Sequence, residues 1–467
     1  MILKEKIKLL LPDIRFWILL FFVIRLVGIT NAPLEIAHNW RQTLTNMIAR
    51  NFLERDANIL YPQIDMAGNQ TGISGSEFPL FNYLICFLSL VFDYSHWYGR
   101  LINLVVSSFG IYFFCLLVEK ICNKKVALYS SIVLLSSIWF AFSRKSMPDV
   151  FSVSLVIIGL YYCYTYVMAG SVWKLFLYFL FATMGVLCKI PALCLVSAVP
   201  IILIAKEISM NKKIRVLLAT LISLSIVYAW YYIWVPYLLE TFKYQSIFAK
   251  GLIEGMKEVS ENLPGFFEKF YFSSLCSYIA LPFLAMGSYL FFTKENLYLK
   301  AGIFIISVSF FIFILKTGFL FPLHNYYIIP FTPVMALMAG YGIEKFPIKY
   351  QYIPLLLISA EGIANQQHDF FLKRSELYKL SLENIVREKI NANELIVING
   401  GQSPQEIYFA NRKGWSVENK MINQKSLDSL KYLGASFLVI DKKSLKDSIG
   451  YYPAVFSNED YEIYRLK

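Results

Sequence analysis

The sequence predicts an all-α multispan membrane domain of about eleven transmembrane helices, followed by a small α/β domain outside the membrane. Of the 467 residues, 57% are hydrophobic and only 16% are charged. A water-soluble chain of this length could not bury so much apolar surface, so much of it must face lipid. Long apolar runs recur as far as residue 365, and beyond it charged segments alternate helix-like and strand-like patterns.

The transmembrane helices are predicted from apolar runs that are long enough to cross the hydrocarbon core of a bilayer. In the first run, no small-residue cleavage site follows the stretch from Trp17 to Ile29, so this stretch is interpreted as an anchor rather than a cleaved signal. In chain order the runs are 14–30, 101–118, 126–142, 150–168, 174–188, 191–205, 216–236, 276–293, 300–315, 326–343 and 351–363.

One further apolar run, 80–94, is ambiguous. It follows Pro79 and contains Asp93, which favours an interfacial helix over a span. If it crossed, the basic clusters 120–125 and 206–215 would lie outside the cell. If it lies along the outer interface, both clusters return to the cytoplasmic side, where Lys and Arg accumulate. We therefore predict that it does not cross.

The same charge rule orients the chain. Lys4, Lys6, Lys8 and Arg15 place the N-terminus in the cytoplasm, and eleven crossings then place the C-terminus outside. The predicted domains are a membrane domain and an extracytoplasmic α/β domain. The membrane domain includes two long outer loops and the interfacial helix. Their bounds are 1–365 and 366–467 for the domains, 31–79 and 237–275 for the loops, and 80–94 for the helix.

The C-terminal domain is predicted from two apolar strands, 394–400 and 436–441, separated by helical segments that include 425–435. The stretch 399-NGGQ-402 between them is too short for a nucleotide-binding loop and is predicted to be a turn.

With this topology, polar side chains that are unusual in so apolar a chain fall on one side of the membrane. They are His38, Trp40, Arg41 and Gln42 in the first outer loop, Glu77 at its end, Asp149 after the third span, Lys189 between two spans, and His324 before the tenth. For Asp149 or Lys189 taken alone, helix capping or interfacial anchoring is an equally good interpretation. Their joint placement favours a shared site.

A polar site at the outer leaflet suits transfer of a sugar from a lipid-linked phosphate. Such a reaction needs a base for the acceptor hydroxyl, cations for the leaving phosphate and an aromatic surface for the sugar. The candidates for the base are His38, Glu77 and Asp149, those for the cations are Arg41 and Lys189, and those for the aromatic surface are Trp40, Tyr326 and Tyr327.

Other function classes fit poorly. The net charge of +12 is explained by cytoplasmic loops, so no nucleic-acid partner is expected. The seven cysteines lack the close-pair spacing of a disulfide or zinc framework. No serine-type triad or phosphate-binding glycine loop is present in the sequence, which argues against hydrolase and ATPase functions.

These motifs resemble the GT-C superfamily of polyprenyl-phosphate-sugar-dependent glycosyltransferases, near the protein O-mannosyltransferase and aminoarabinose-transferase branch. The resemblance covers nearly the whole chain. The stretch 77-EFPL-80 is similar to a Glu-Lys-Pro-hydrophobic motif whose acid contributes to a metal site, although Phe78 replaces the lysine. The stretch 98-YGR-100 resembles the entry to the second span, and Asp149 and Lys189 resemble the acid after the third span and a lysine that contacts the lipid phosphate.

The first loop resembles a bacterial subgroup through 38-HNWRQ-42 and 49-ARNF-52. Members of that subgroup carry an Asp shortly after the Gln, where this chain has Leu44 and Thr45. The catalytic base of the family is an acid in this loop, so Glu77, His38 or Glu35 would have to replace it.

The resemblance implies an inverting glycosyltransferase in the bacterial cytoplasmic (inner) membrane. The donor would be an undecaprenyl-phosphate-linked sugar, and the acceptor a glycan, lipid or protein. Trp40, Arg41 and Gln42 would bind substrate. A divalent ion, Mg, Mn or Zn, could be held by Glu77 and His324.

Two other functions remain open at this point. A transporter or flippase of lipid-linked glycans would also need outward polar residues, but such proteins often carry internal repeats and none is visible in this sequence. A catalytically inactive membrane scaffold is the second alternative, because the first-loop Asp is missing.

Overall fold

The computed structural model describes residues 10–243, 250–446 and 449–467. Lys4, Lys6 and Lys8, which orient the N-terminus, lie outside the described residues, as do residues 244–249 of the predicted outer loop 237–275. Contacts divide the chain into two compact units. The helical unit comprises Met1–Ile29, Arg100–Tyr231 and Ile247–Phe370, and the mixed unit comprises Thr30–Gly99, Tyr232–Ser246 and Phe371–Lys467.

The division differs from the boundary predicted at residue 365. Residues 30–99 of the predicted membrane domain group with the C-terminal segment in the mixed unit.

The described α-helices are numbered in chain order through both units. They are α1 Ile14–Arg25, α2 Asn39–Glu54, α3 Leu80–Phe92, α4 Tyr98–Ile121, α5 Lys124–Ser136, α6 Trp139–Phe142, α7 Pro148–Ala169, α8 Val172–Cys188, α9 Leu193–Val196, α10 Met210–Tyr228, α11 Val235–Phe242, α12 Leu252–Ser260, α13 Leu263–Glu268, α14 Ala280–Lys294, α15 Leu297–Thr317, α16 Leu320–Leu323, α17 Thr332–Lys345, α18 Tyr352–Gln366, α19 Leu382–Lys389, α20 Gln405–Ala410 and α21 Gln424–Tyr432.

Shorter helical pieces connect these helices. Turns of 3₁₀ helix are Ile190–Ala192, Val199–Leu203, Asn325–Ile328, Ile348–Tyr350, Gln367–Phe370, Arg374–Ser381 and Asn419–Met421, and π-helical segments are Ala229–Trp234 and Lys269–Ser273.

Each of the eleven predicted spans falls on helical structure. Among the described residues, four helices are long and apolar enough to cross a membrane: Tyr98–Ile121, Pro148–Ala169, Met210–Phe242 and Leu297–Thr317. The third of these runs from α10 through the π-helical segment into α11. The helical prediction is therefore confirmed, and the number of crossings stays a prediction.

The ambiguous run forms helix α3, which has 13 residues. At 1.5 Å per residue it is about 20 Å long, shorter than the hydrocarbon core of about 30 Å. This length suits the interfacial placement.

Glycines bring the helices of the helical unit close together. A Cβ added to Gly185 of α8 would lie 2.8 Å from the carbonyl oxygen of Ser152 in α7. A Cβ on Gly287 of α14 would lie only 1.8 Å from the carbonyl oxygen of Met338 in α17. Small residues therefore set the spacing of these helix pairs, as is common between membrane helices.

The mixed unit contains one five-stranded sheet, formed by β1 Leu395–Ile398, β2 Gly414–Ser416, β3 Ala435–Asp441, β4 Ala454–Ser457 and β5 Tyr461–Arg465. The strand order is β2-β1-β3-β5-β4. The β1–β2 and β1–β3 pairs are parallel, and β5 pairs antiparallel with β3 and β4. The predicted small α/β domain is thus present. The predicted strand 394–400 contains β1, and the predicted strand 436–441 covers all of β3 except Ala435.

The two faces of β1 belong to different hydrophobic clusters. Ile396 and Ile398 pack in a core shared with Ile48 and Phe52 of α2, whereas Val397 packs on the other face with Leu427 of α21. Loop 31–79 and the C-terminal segment therefore share one core, which fixes the polar start of α2 within this unit.

Candidate active site

The first predicted site residue, His38, lies immediately before α2. Its backbone is left-handed, with a φ of 59°, a conformation that histidine adopts more readily than most residues. It occupies the N-cap position, but its side chain makes no capping hydrogen bond to the helix. Its conformation turns the chain into α2, and Trp40 in the first turn is 37% exposed.

Arg41 of α2 forms an ion pair with Glu77. The two side chains are mostly buried, 14% and 18% exposed. Water screens such a pair weakly, and a guanidinium can still present other N–H groups to an anion. The two predicted residues are thus brought together in the mixed unit, with Glu77 held by a cation.

Gln42 and Glu35 form a second pair. The side-chain amide of Gln42 donates a 3.0 Å hydrogen bond to a carboxylate oxygen of Glu35, and both residues are almost fully buried. Glu35 also forms an isolated β-bridge with Leu372. Glu35 therefore joins loop 31–79 to the C-terminal segment, a structural position for the third candidate base.

The positions that replace the expected acid serve packing. Leu44 lies against the core of the mixed unit. The hydroxyl of Thr45 donates to the carbonyl of Arg41, and the Thr45 carbonyl accepts a 2.7 Å bond from the side-chain amide of Asn82 in α3. These contacts fix α2 to α3, and neither side chain can act as a base.

Asp149 lies in the first turn of α7, in the helical unit. The N-cap of that helix is Met147, Pro148 occupies the first helical position, and no side chain caps the helix. Proline is favoured there because the missing N–H would be unpaired in any case. The interpretation of Asp149 as a capping residue is therefore wrong.

The Asp149 carboxylate is 3% exposed, and one oxygen lies 3.7 Å from the ammonium nitrogen of Lys189. The second oxygen, Oδ2, is buried and has no hydrogen-bond partner among the described residues. A buried acceptor without a donor is costly to folding, and such groups are frequent at functional sites.

Lys189 follows the end of α8 in an extended conformation, with a φ of −159°. Its ammonium lies 5.8 Å from the centroid of the Tyr326 ring, a distance typical of a cation–π contact. Asp149, Lys189 and Tyr326 thus form one cluster, called the Asp149 cluster below.

The aromatic part of this cluster extends to His324. The His324 ring stacks on Tyr326 at a centroid distance of 5.2 Å, and Tyr326 lies 4.6 Å from Tyr327. Burial, Lys269 and Lys189 all lower the pKa of His324 below its ordinary value of 6.5. The imidazole is therefore neutral at neutral pH.

Sequence reasoning missed two residues that support this cluster. Lys269 is buried and bonds Asn325, the neighbour of His324, and Glu268 at 3.2 Å. Asn103 of α4 donates to the carbonyls of Phe142, Lys145 and Met147, at 2.9 to 3.1 Å, and so holds the turn that leads into Asp149. Neither belongs to a sequence motif, since their roles arise from tertiary contacts.

A metal site is not assembled by the side chains described. No group of three or more His, Cys, Asp or Glu residues in the described ranges could hold a metal ion. Glu77 is paired with Arg41, and two lysines disfavour positive charge at His324. The ligation of a divalent ion by Glu77 and His324 stays a prediction.

The predicted residues thus form two clusters. Arg41 joins Glu77 in the mixed unit, while Asp149 joins Lys189, Tyr326, Tyr327 and His324 in the helical unit.

Comparison with known proteins supports the fold. The sequence model of the family described as dolichyl-phosphate-mannose-protein mannosyltransferase matches residues 76–234, which include Glu77, Asp149 and Lys189. No curated protein matches the sequence.

Solved structures match over almost the whole chain. ArnT from Cupriavidus metallidurans bound to undecaprenyl phosphate is 11% identical, with a TM-score of 0.64, covering 96% of this chain and 98% of ArnT. The archaeal oligosaccharyltransferase AglB from Archaeoglobus fulgidus, in complex with an inhibitory peptide and a dolichol-phosphate, is 10% identical, with a TM-score of 0.53. That match covers 92% of this chain and 70% of AglB.

A third match is the Archaeoglobus fulgidus oligosaccharyltransferase in complex with Zn and sulfate, with 11% identity and a TM-score of 0.54. It covers 91% of this chain and 68% of the other. The resemblance to the GT-C superfamily is thereby confirmed at the level of the fold.

Proposed function

We propose that this chain, which has the GT-C fold, is a membrane glycosyltransferase that moves a sugar from a polyprenyl-phosphate donor to an acceptor hydroxyl. One observation carries the proposal: a buried carboxylate oxygen of Asp149 without a hydrogen-bond donor, beside the Lys189 ammonium. An acceptor hydroxyl would supply the missing donor, and a lipid phosphate would supply an anion for the lysine.

The proposed reaction is a single displacement. The acceptor oxygen attacks the anomeric carbon, the bond between that carbon and the phosphate oxygen breaks, and polyprenyl phosphate leaves with the bonding electrons. The acceptor proton passes to Asp149 Oδ2. Since one displacement occurs at the anomeric carbon, its configuration inverts.

The other residues of the Asp149 cluster bind the donor. Lys189 offsets the charge that develops on the leaving phosphate, an effect that is strong where water is excluded. Tyr326 and Tyr327 offer aromatic faces to the sugar. Neutral His324 accepts a hydrogen bond from a sugar hydroxyl, which an imidazolium could not do.

The roles predicted for the mixed-unit residues, a phosphate contact for Arg41 and a sugar contact for exposed Trp40, stay predictions from the sequence. Buried Gln42 orders the loop through Glu35 rather than touching substrate. Glu77 then orients Arg41, and Asp149 is the base.

The bound lipids of the structural neighbours support the donor class. ArnT was solved with undecaprenyl phosphate and AglB with a dolichol-phosphate. We propose an undecaprenyl-phosphate-linked sugar for this chain, in a bacterial inner membrane, with the N-terminus cytoplasmic and catalysis on the outer face.

The function is tested in cells by replacing the chromosomal gene with the Asp149→Asn variant. Mass spectrometry of surface glycans, lipids and proteins is expected to show loss of one pentose or hexose in the variant. The wild-type gene, reintroduced in the same way, is the control. Identical profiles, with the variant present in the membrane at normal amounts, would contradict the proposal.

A further inference from the structure

Lys189 lies at a break between two helices, here called the Lys189 break and comprising residues 185–192. Helix α8 ends at Cys188, Lys189 is extended, and a 3₁₀ turn covers Ile190–Ala192. Pro191 lacks the N–H that an α-helix would direct to the carbonyl of Leu187, four residues earlier. The break is thus dictated by the sequence around the lysine.

Hydroxyl groups from other helices satisfy the carbonyls of this break. The Tyr231 hydroxyl donates a 2.8 Å bond to the Leu187 carbonyl, the one that Pro191 leaves without its helical donor. The Ser152 hydroxyl of α7 lies 2.7 Å from the Gly185 carbonyl oxygen and 3.3 Å from that of Lys189 itself.

Ser152 also shares a helix face with Asp149. The two residues are three positions apart on α7, which places them one above the other. Ser152 is fully buried, and the close approach to α8 depends on Gly185, where a Cβ would collide with α7. The element that carries the carboxylate therefore also holds the backbone of the lysine.

We propose that Ser152 is a positioning residue that fixes Lys189 opposite Asp149 by bonding to the Lys189 break. Its hydroxyl touches no substrate and acts through the lysine. This inference rests on the proposed function in one respect, the role of Lys189 at the donor phosphate. Without the hydroxyl, the extended lysine can reorient and the ammonium is no longer held 3.7 Å from the carboxylate.

The test variant is Ser152→Ala, and Ser154→Ala is its matched control. Both serines are fully buried on α7, but Ser154 donates to the Val150 carbonyl within its own helix. Either substitution removes one buried hydroxyl, so a general loss of helix stability affects both. Tyr231→Phe removes the bond to the Leu187 carbonyl of the break and provides an independent variant.

The geometry is measured first, on the full chain in lipid nanodiscs without substrate. Hydrogen exchange of a peptide covering residues 186–192 is expected to accelerate about fivefold in Ser152→Ala, as loss of one hydrogen bond predicts. The amides of Lys189 and Ala192, which bond within the break, lie in this peptide. Unchanged exchange in Ser152→Ala, or equal acceleration in Ser154→Ala, would overturn the proposal that the Ser152 hydroxyl holds the Lys189 break.

The consequence for Lys189 is measured by titrating the same nanodiscs with undecaprenyl phosphate. Ser152→Ala is expected to raise the Kd and the KM of the donor about fivefold and to leave the acceptor KM unchanged. A purely structural role would lower the active fraction, and so kcat, without this selective rise. Faster exchange with an unchanged Kd would overturn the positioning role while leaving the glycosyltransferase proposal intact. If wild-type protein does not bind undecaprenyl phosphate, the proposed function fails together with this role of Ser152.

Discussion

At the scale of single residues, the central finding concerns what surrounds Asp149. Its carboxylate is buried beside one lysine and keeps an oxygen without a donor, so folding gains little from it. Groups held this way are characteristic of sites that sacrifice stability for function. The alternative, that the acid caps α7, would have required a capping bond that the helix lacks.

This leads to a prediction about stability. Asp149→Asn should unfold close to the wild-type temperature, because it breaks no cap and the Lys189 side chain, 15% exposed, can still be hydrated. Asn123→Ala is the contrasting variant, since the Asn123 side chain caps α5 by accepting from Lys125 and Val126 and should cost ~1 kcal/mol. Thermal unfolding in detergent compares them. A loss in Asp149→Asn equal to that in Asn123→Ala would contradict this description of Asp149.

The pKa of His324 gives a second prediction. Burial and the charges of Lys269 and Lys189 oppose the imidazolium and lower this pKa. The folded chain therefore loses stability as the pH falls below 6.5, where a histidine in the unfolded chain takes up a proton more readily. Lys269→Met removes one of the two cations and should raise the His324 pKa.

Histidine-labelled NMR can follow this titration, since the chain has only four histidines. Lys300→Met, a change of the same type on α15, serves as the control and should leave the His324 pKa unchanged. A His324 pKa that stays constant or falls in Lys269→Met would show that the lysine does not act on the imidazole.

At the scale of helices and strands, close packing through glycine decides where the site residues lie. The α7–α8 contact at Gly185 brings Lys189 to Asp149, and the α14–α17 contact at Gly287 uses the same device. Each of the eleven apolar runs that predicted a span falls on helical structure. The packing partners could not be predicted, because interhelical contacts leave no local periodic signal.

Gly287 therefore offers a test of helix packing. Gly287→Ala should destabilise the protein by ~1–3 kcal/mol, because its Cβ would collide with the backbone of α17. In Gly302→Ala the new Cβ would meet only the tip of the Ile201 side chain at 3.3 Å, so stability should be unchanged or improved. Denaturant unfolding in detergent measures both. Equal stability of the two variants would mean that α14 and α17 are not this close.

The placement of α3 can be tested by thiol labelling. Leu90 in α3 is 67% exposed, whereas neighbouring Ser89 is buried, so Leu90→Cys is the suitable probe. Lys124→Cys at the start of α5 is its partner, in a Cys122→Ser background because the other six cysteines are buried. An impermeant reagent should label Cys at 90 in intact cells and Cys at 124 only after permeabilisation. Labelling of Cys at 124 in intact cells, with Cys at 90 labelled only after permeabilisation, would mean that α3 crosses the membrane.

At the scale of the whole molecule, composition was the strongest predictor. Hydropathy and charge placement predicted a helical membrane protein with a small α/β region, and its motifs predicted the superfamily whose fold the chain has. The grouping of residues 30–99 with the C-terminal segment was not foreseen. It arises from a core that joins α2 to β1 across more than three hundred positions, which no local pattern encodes.

The same limit applies to the site. Sequence motifs pointed to Arg41, Glu77, Asp149 and Lys189. The structure pairs Arg41 with Glu77 and Lys189 with Asp149. The expectation that Glu77 or His38 is the first candidate for the catalytic base rested on sequence motifs alone. The paired state of Glu77 and the orphan oxygen of Asp149, both visible only in three dimensions, favour Asp149 instead.

The most direct measurement is sugar transfer by purified protein in nanodiscs containing a panel of synthetic undecaprenyl-phosphate pentoses and hexoses, with membranes of the host as acceptor. Mass spectrometry follows the release of free undecaprenyl phosphate and the appearance of the sugar on the acceptor. We expect wild-type protein to consume one donor of the panel, and Asp149→Asn to be slower by about 10²-fold or more, as loss of a general base predicts. Transfer by Asp149→Asn at the wild-type rate, or no consumption of any donor by folded wild-type protein, would contradict this account.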